Sequence, residues 1–354
     1  MSARKWVMGC TVTAVTVVAI VIICGVVAYK RLTAVMPLPG TSLLADADSV
    51  GHAVLRLEPD NPWIRQMFTE LSKYSAREPK TAELFPIEVI WSAHRTSSSA
   101  DAQMLDISFG PRGRFFGMMT DLALWKAGRS RQEKVSRVEY GGEGITSFPG
   151  TPLPGHVFVR DNQILWASDL DAARKAVDLV VASEKQGPAA ATTPATMISQ
   201  MPDPAAHPLV GVILGEGGAV TRSLALLPGT ELDMPEGSLG LADLTFQIDA
   251  ASGDTATGEI TLRFPGETPA ADIDAAAREL ARRLGSLTWG DVVVSASPRT
   301  EPSRAIIAVE ASGLAKVHAR LLQEVVKVQR SIESGQSPAQ DGASTDRETP
   351  KDPN

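Results

Sequence analysis

The run WVMGCTVTAVTVVAIVIICGVVAY, from Trp6 to Tyr29, carries no charged side chain and is almost wholly apolar. As a helix rising about 1.5 Å per residue it reaches roughly 36 Å, enough to cross a hydrocarbon core of about 30 Å with some tilt. A helix satisfies its own backbone donors and acceptors, which lipid cannot do. Residues 6–29 are therefore expected to form a transmembrane helix inside a signal anchor covering 1–31. Trp6 and Tyr29 mark its ends, and Arg4 and Lys5 on one side nearly balance Lys30 and Arg31 on the other. The free α-amino group tips that balance towards N-inside, C-outside. The apolar run is longer than the 7–15 residues of a secretory h-region, so an uncleaved anchor is expected in spite of Val26-Val27-Ala28. Cys10 and Cys24 read as apolar span residues, with palmitoylation of Cys10 as the alternative.

Beyond residue 31 the chain holds 30 basic against 41 acidic residues and no cysteine. Disulfides, thiolate metal sites and cysteine nucleophiles are excluded there. An acidic balance argues against a nucleic-acid partner and against lying flat on an anionic membrane, although a local basic patch is compatible with it. The absence of an Asn-x-Ser/Thr acceptor and the Ala-rich, Arg-over-Lys usage fit a bacterial source. The expected location is the inner membrane, single-pass, with the C-terminal part on the periplasmic side.

Alternation and helical spacing divide the remainder. Residues 32–47, with two prolines and a glycine, read as a stalk. Asp48–Glu58 alternates like a strand, and Asn61-Pro62 then caps a helix with Ile64, Met67, Phe68 and Leu71 on one face. Strands are expected at Pro86–Ala93 and Gln103–Phe109, then a helix through Phe116, Met119, Leu122, Ala123 and Lys126. Short strands follow to Ala167, with a two-residue turn at Asp161-Asn162. Ser168-x-x-Asp171 reads as a capping box for a helix with Leu170, Ala173, Val177 and Val180/Val181 inward. Residues 185–206 form a Pro/Ala/Thr linker. After it come strands at Pro208–Leu214, Leu241–Asp249 and Thr257–Phe264. A helix with Ile273, Ala277, Leu280, Ala281 and Leu284 inward is next, then strands at Val292–Ala296 and Ala305–Ala311. A last helix, Gly313–Ser331, reads as packed on its own sheet rather than as an oligomerisation seam. Residues 334–354, with no apolar side chain larger than alanine, are expected to be disordered.

LDISFGPRGRFFGMMTDLALWKAG matches EITLRFPGETPAADIDAAARELARRLG in element order, as ILWASDLDAARKAVDLVV matches IIAVEASGLAKVHARLLQEVV. The expected fold class is α+β: two duplicated modules, 48–184 and 207–333, each an antiparallel sheet with helices on one face. The stretches DADSVGHAVLRLEPDNPWIRQMF and DNQILWASDLDAARKAVDLV resemble uncharacterised bacterial single-pass membrane proteins whose ectodomains repeat such a module. That resemblance implies topology and no catalytic residue.

The chemistry-bearing residues are sparse. The five histidines, at 52, 94, 156, 207 and 318, form no His-x-x-x-His or His-x-Glu pair, so no metal or cofactor is expected. A hydrolytic site would need His94 with one of Ser97–Ser99 and Asp101 or Asp106, but no Gly-x-Ser-x-Gly turn accompanies them. Gly215-Glu216-Gly217-Gly218 fails the dinucleotide spacing at Val220 and reads as a plain turn. The most interaction-like stretch is Phe109–Met119, where Arg112, Arg114 and Phe115 are the candidate surface, against a reading in which Phe116 and Met119 are core. These observations point to a non-enzymatic, membrane-anchored binding or scaffold protein with a protein or envelope-component partner. The alternative is a ligand-binding or hydrolytic site in a seam between modules, drawing on His94 and His156.

Overall fold

A computed structural model describes residues 38–72, 85–95, 101–110, 113–129, 135–149, 154–186, 200–215, 241–286, 288–289, 291–317, 319–320 and 323. The expected span at 6–29, the loop at 96–100, the glycines after Gly215, most of the linker and the C-terminal tail lie outside them. Among the described residues no helix is long and apolar enough to cross a membrane.

Among the described residues thirteen strands form one antiparallel sheet. They are β1 (Ser49–Leu57), β2 (Ile87–His94), β3 (Ala102–Ser108), β4 (Ser136–Tyr140), β5 (Glu143–Phe148), β6 (Gly155–Arg160), β7 (Gln163–Ala167), β8 (Leu209–Leu214), β9 (Asp243–Ala250), β10 (Thr255–Arg263), β11 (Thr288–Trp289), β12 (Val292–Glu301) and β13 (Arg304–Ser312). The order across the sheet is β11-β12-β13-β10-β9-β8-β1-β2-β3-β7-β6-β5-β4. Among the described residues four long helices are interspersed, α1 (Pro62–Ser72), α2 (Gly113–Arg129), α3 (Leu170–Gln186) and α4 (Ala270–Ser286), and helical backbone also occurs at 314–317, where the last helix was expected to begin.

Two separate sheets were expected; the structure has one, because β1 and β8 pair antiparallel, from Gly51 opposite Ile213 to Leu55 opposite Leu209. Both strands are buried over most of their length, with Val50, Val54, Val210, Val212 and Ile213 in the core. β8 carries no charge or proline and β1 only Arg56 near its end, little protection for an exposed edge, so each serves as the other's neighbour. Outward from this pair the order reads β1-β2-β3-β7-β6-β5-β4 on one side and β8-β9-β10-β13-β12-β11 on the other.

Helices occupy both faces, not one. Ile90 and Ala93 on β2 belong to different apolar clusters, as do Val210 and Ile213 on β8, and alternation along a strand puts such positions on opposite sides. α3 covers one face with Ala172, Ala173, Ala176, Val177 and Val180 over Ile90, Met104, Phe158 and Leu165. On the other face α4 buries the five residues its spacing predicts, Ile273, Ala277, Leu280, Ala281 and Leu284.

Local chemistry fixes the element ends. Asn61 Oδ1 accepts from Trp63 N at 2.9 Å, the expected cap of α1. The cap of α3 is Asp169 rather than Ser168: Asp169 Oδ1 accepts from Ala172 N at 2.8 Å, while Ser168 Oγ accepts from Gln103 N on β3. Gly141 and Gly142, at φ 59° and 86°, make the tight β4–β5 turn that a side chain would strain.

Residues 40–46, expected within a stalk, form a strap across the α3 face. Leu43, Leu44 and Ala45 are buried. His52 Nε2 lies 2.7 Å from the Thr41 carbonyl and His94 Nε2 lies 2.9 Å from that of Leu44. Lys175 on α3 reaches Asp46 and Asp48 at 2.6 and 3.1 Å.

Candidate interaction surface and buried polar groups

α2 presents large apolar side chains outward. Gly117 is buried against the β6–β7 turn, so close that a Cβ there would stand 2.0 Å from the Asp161 carbonyl oxygen. With Gly117 facing the sheet, the 3.6-residue repeat puts Thr120, Asp121 and Leu124 on that side and Met118, Met119, Leu122 and Trp125 on the outer one. These four are 45, 47, 55 and 43 % exposed. Asp121, the single acidic residue of α2, is bonded to Arg137 Nη2 on β4 at 3.2 Å. Thr120, Asp121 and Leu124 are only partly buried and Lys126 is exposed, so both sides are mixed, but a row of large apolar side chains standing outward is unusual for a surface helix. Clustered exposed apolar side chains of this kind are a common mark of an interaction site.

Met119 is therefore not core, contrary to the sequence expectation. The helical spacing was legible, but Gly117 chooses the docking side by admitting the turn's backbone, and that choice overrides the apolar stripe. Of the expected surface residues, Arg112 lies outside the described residues. Arg114 and Phe115 fall in the first turn of α2, their side chains also outside. Gly117→Val is expected to lower stability by about 2–3 kcal/mol, since the clash is with backbone and cannot be relieved by a rotamer change. Equal urea midpoints for variant and parent would refute the contact.

The hydrolytic constellation does not assemble. His94 is 1 % exposed, and its partners are Asp46 Oδ1 at 3.1 Å and Ser49 Oγ at 3.5 Å, not Asp101 or Asp106. Both engage Nδ1, and Nε2 points to the Leu44 carbonyl, whereas a nucleophile and an orienting acid must address different ring nitrogens. Burial raises the Asp46 carboxyl, but hydrogen bonds from His94 and Lys175 outweigh it and hold the group well below the usual carboxylate range. His156 sits on β6, separated from β2 by β3 and β7, so it and His94 do not converge. Its Nδ1 lies 2.8 Å from Ser147 Oγ across the β5–β6 pair, and burial lowers its pKa. Asp169, the nearby acid, is occupied by the α3 cap and by Ser168. His52 is buried and pushed down to about 4 by burial. Among the described residues no group of three or more His, Cys, Asp or Glu side chains is placed to hold a metal ion.

Sequence reasoning does not single out Glu88 and names Asp106 only as a candidate acid for His94; both are buried. Glu88 on β2 and Asp106 on β3 are 1 % and 0 % exposed, and each has one oxygen without a hydrogen-bond partner. Asp106 Oδ2 accepts from Ser108 Oγ at 2.6 Å and Gln163 Nε2 at 3.4 Å. Burial pushes both groups up to about 7; the Glu88 charge adds to the shift of Asp106, and Ser108 and Gln163 oppose it. The available signal was phase: Glu88 alternates in step with Ile90, and Asp106 with Met104.

At the β1–β8 seam a groove of about 420 Å³ is lined by Arg56, Glu58, Asn61, His207 and Asp249 among others. His207 Nδ1 lies 2.9 Å from Asp249 Oδ1, and Arg56 Nε donates to Glu58 Oε1 at 2.7 Å.

The fold class is thus an α+β protein built on one large antiparallel sheet. Comparison with protein-family models, with curated proteins and with solved structures returned no match.

Proposed function

We propose that the chain is a non-enzymatic binding or scaffold protein, anchored by residues 6–29 in a bacterial inner membrane, with its sheet on the periplasmic side and α2 as its interaction surface. The observation that carries this reading is the exposed row Met118, Met119, Leu122 and Trp125 on α2. Four large apolar side chains held in water cost free energy that a covering partner recovers.

We also infer that the sheet arose from two copies of one module. In support, the strand order mirrors about β1 and β8, and α2 and α4 each follow the third strand of their half.

A photoreactive residue replacing Leu122 in the full chain, in cells, tests the surface. Adducts absent from a matched probe at Arg278, an exposed position on α4, would support it. Equal yields at the two positions would remove α2 from the reading. The seam groove supports a second reading, a small-ligand site using His207 and Asp249 in place of His94 and His156. A ligand co-purifying with the parent and lost with His207→Ala would favour it.

A further inference from the structure

We propose that His94 is a proton-operated latch for the strap at 40–46. With both ring nitrogens protonated it ties Leu44 and Asp46 to β2, and loss of one proton loosens the strap and lengthens the chain leading into β1.

The surroundings of the ring carry the argument. Nε2 lies 2.9 Å from the Leu44 carbonyl, which can only accept, so this nitrogen holds a hydrogen. Nδ1 lies 3.1 Å from Asp46 Oδ1. Against the effect of burial, hydrogen bonds from His94 and Lys175 keep Asp46 ionised, so it too can only accept. Ser49 Oγ, 3.5 Å from Nδ1, accepts from Asp46 N at 2.9 Å and donates to Asp46 Oδ1 at 3.3 Å, so its hydrogen is already placed. A neutral ring would set a bare nitrogen against a carboxylate in a site where His94 is buried; an imidazolium satisfies both sides.

The charges facing the ring fix the direction. Asp46 and Asp48 come from the strap, and Lys175 on α3 reaches both; β1 supplies His52, and the residue opposite on β3 is Ala102. With His94 charged, two cations meet two anions. His52 is neutral, pushed down to about 4 by burial and further by the His94 charge, so its bond to the Thr41 carbonyl is indifferent to pH above that. Glu88 and Asp106 lie at least four residues along the strands, more than about 12 Å away. The protonated ring is bonded in the docked strap and merely hydrated in the open one, so docking takes up a proton and weakens as pH rises. Losing one charge-assisted hydrogen bond raises the open fraction roughly tenfold to a hundredfold. Residues 40–48 then span up to about 30 Å, extra reach between the sheet and whatever holds the preceding chain. Only that consequence draws on the membrane-anchor reading.

The test uses the full chain in detergent micelles with ¹⁵N-labelled histidine rings, residue 94 being assigned through His94→Gln. At about pH 5.5 residue 94 is expected to show two protonated ring nitrogens, and at about pH 8.5 only one. Over the same interval the amides of Leu43, Ala45 and Asp46, hydrogen-bonded within the strap, should exchange roughly tenfold to a hundredfold faster relative to those of β3, after correction for intrinsic base catalysis. His94→Gln should abolish that step. Lys175→Met removes the other cation on Asp46 and should move the midpoint to higher pH by on the order of one unit, whereas a merely structural lysine would lower protection and leave the midpoint in place. A ring with one hydrogen at the lower pH, strap exchange that follows β3 at every pH, or a midpoint unmoved in Lys175→Met overturns the proposal. None of these readouts needs a bilayer, so the latch and the anchor at 6–29 stand or fall separately.

Discussion

Asp106→Asn is expected to make the protein more stable at pH 8, by on the order of 2–4 kcal/mol, and to flatten its pH dependence. In an unfolded chain Asp and Glu titrate near 3.9 and 4.3. In the folded protein Asp106 and Glu88 are pushed up to about 7. Between about pH 4 and pH 7 the folded state therefore holds more protons than the unfolded state, and stability falls as pH rises through that window. Above it both states are ionised and the loss is complete. The asparagine accepts from Ser108 and Gln163 as the carboxylate does, but needs no proton to remain buried. Glu88→Gln is expected to act in the same direction. Urea unfolding at pH 5 and pH 8 measures the slope. A parent protein whose stability rises over that interval, with Asp106→Asn merely destabilised, would mean that these carboxyls are ionised and compensated in the fold.

Leu44→Ala is the second large effect, a loss of about 3 kcal/mol. Leu44 is fully buried with Val54, Ile90 and Met104, and truncating a leucine in such a site removes transfer energy and leaves a cavity. Here the loss reaches further, because the carbonyl of Leu44 is the partner of His94 Nε2 and the next residues carry Asp46 to Lys175. Amide exchange should accelerate selectively from Thr41 to Ser49 before global unfolding. A strap that exchanges as quickly in the parent as in the variant would show that it is not held by this contact.

Much of the fold was legible in the sequence because it is local. Strand alternation and helical spacing located α4 and all five of its buried residues, the cap at Asn61, and the Asp161-Asn162 turn, where Asp161 adopts φ 49°. Pairing between distant strands has no such local signature. Nothing in LVGVIL at β8 says that its neighbour lies more than 150 residues earlier in SVGHAVLRL at β1. The strap was misread for a related reason: prolines and a glycine announce an irregular path, and irregular paths can still be buried when histidines answer their carbonyls. At α2 the stripe was visible, but which side meets the sheet depended on a glycine and the backbone it admits. The surface expected at Arg112, Arg114 and Phe115 lies outside the described side chains, and the exposed row at Met118, Met119, Leu122 and Trp125 is a different set of residues.

The strap also decides where a mechanical load would enter. A pull on the chain before residue 38 is taken first by Leu43 and Leu44 and by the Asp46 contacts to His94 and Lys175. It then passes into β1, a strand with hydrogen-bonded neighbours on both sides. Tension therefore arrives at the middle of a thirteen-strand sheet and is shared between β2 and β8. It does not peel a free edge one bond at a time. A tether joined there can tug on the protein without unzipping it.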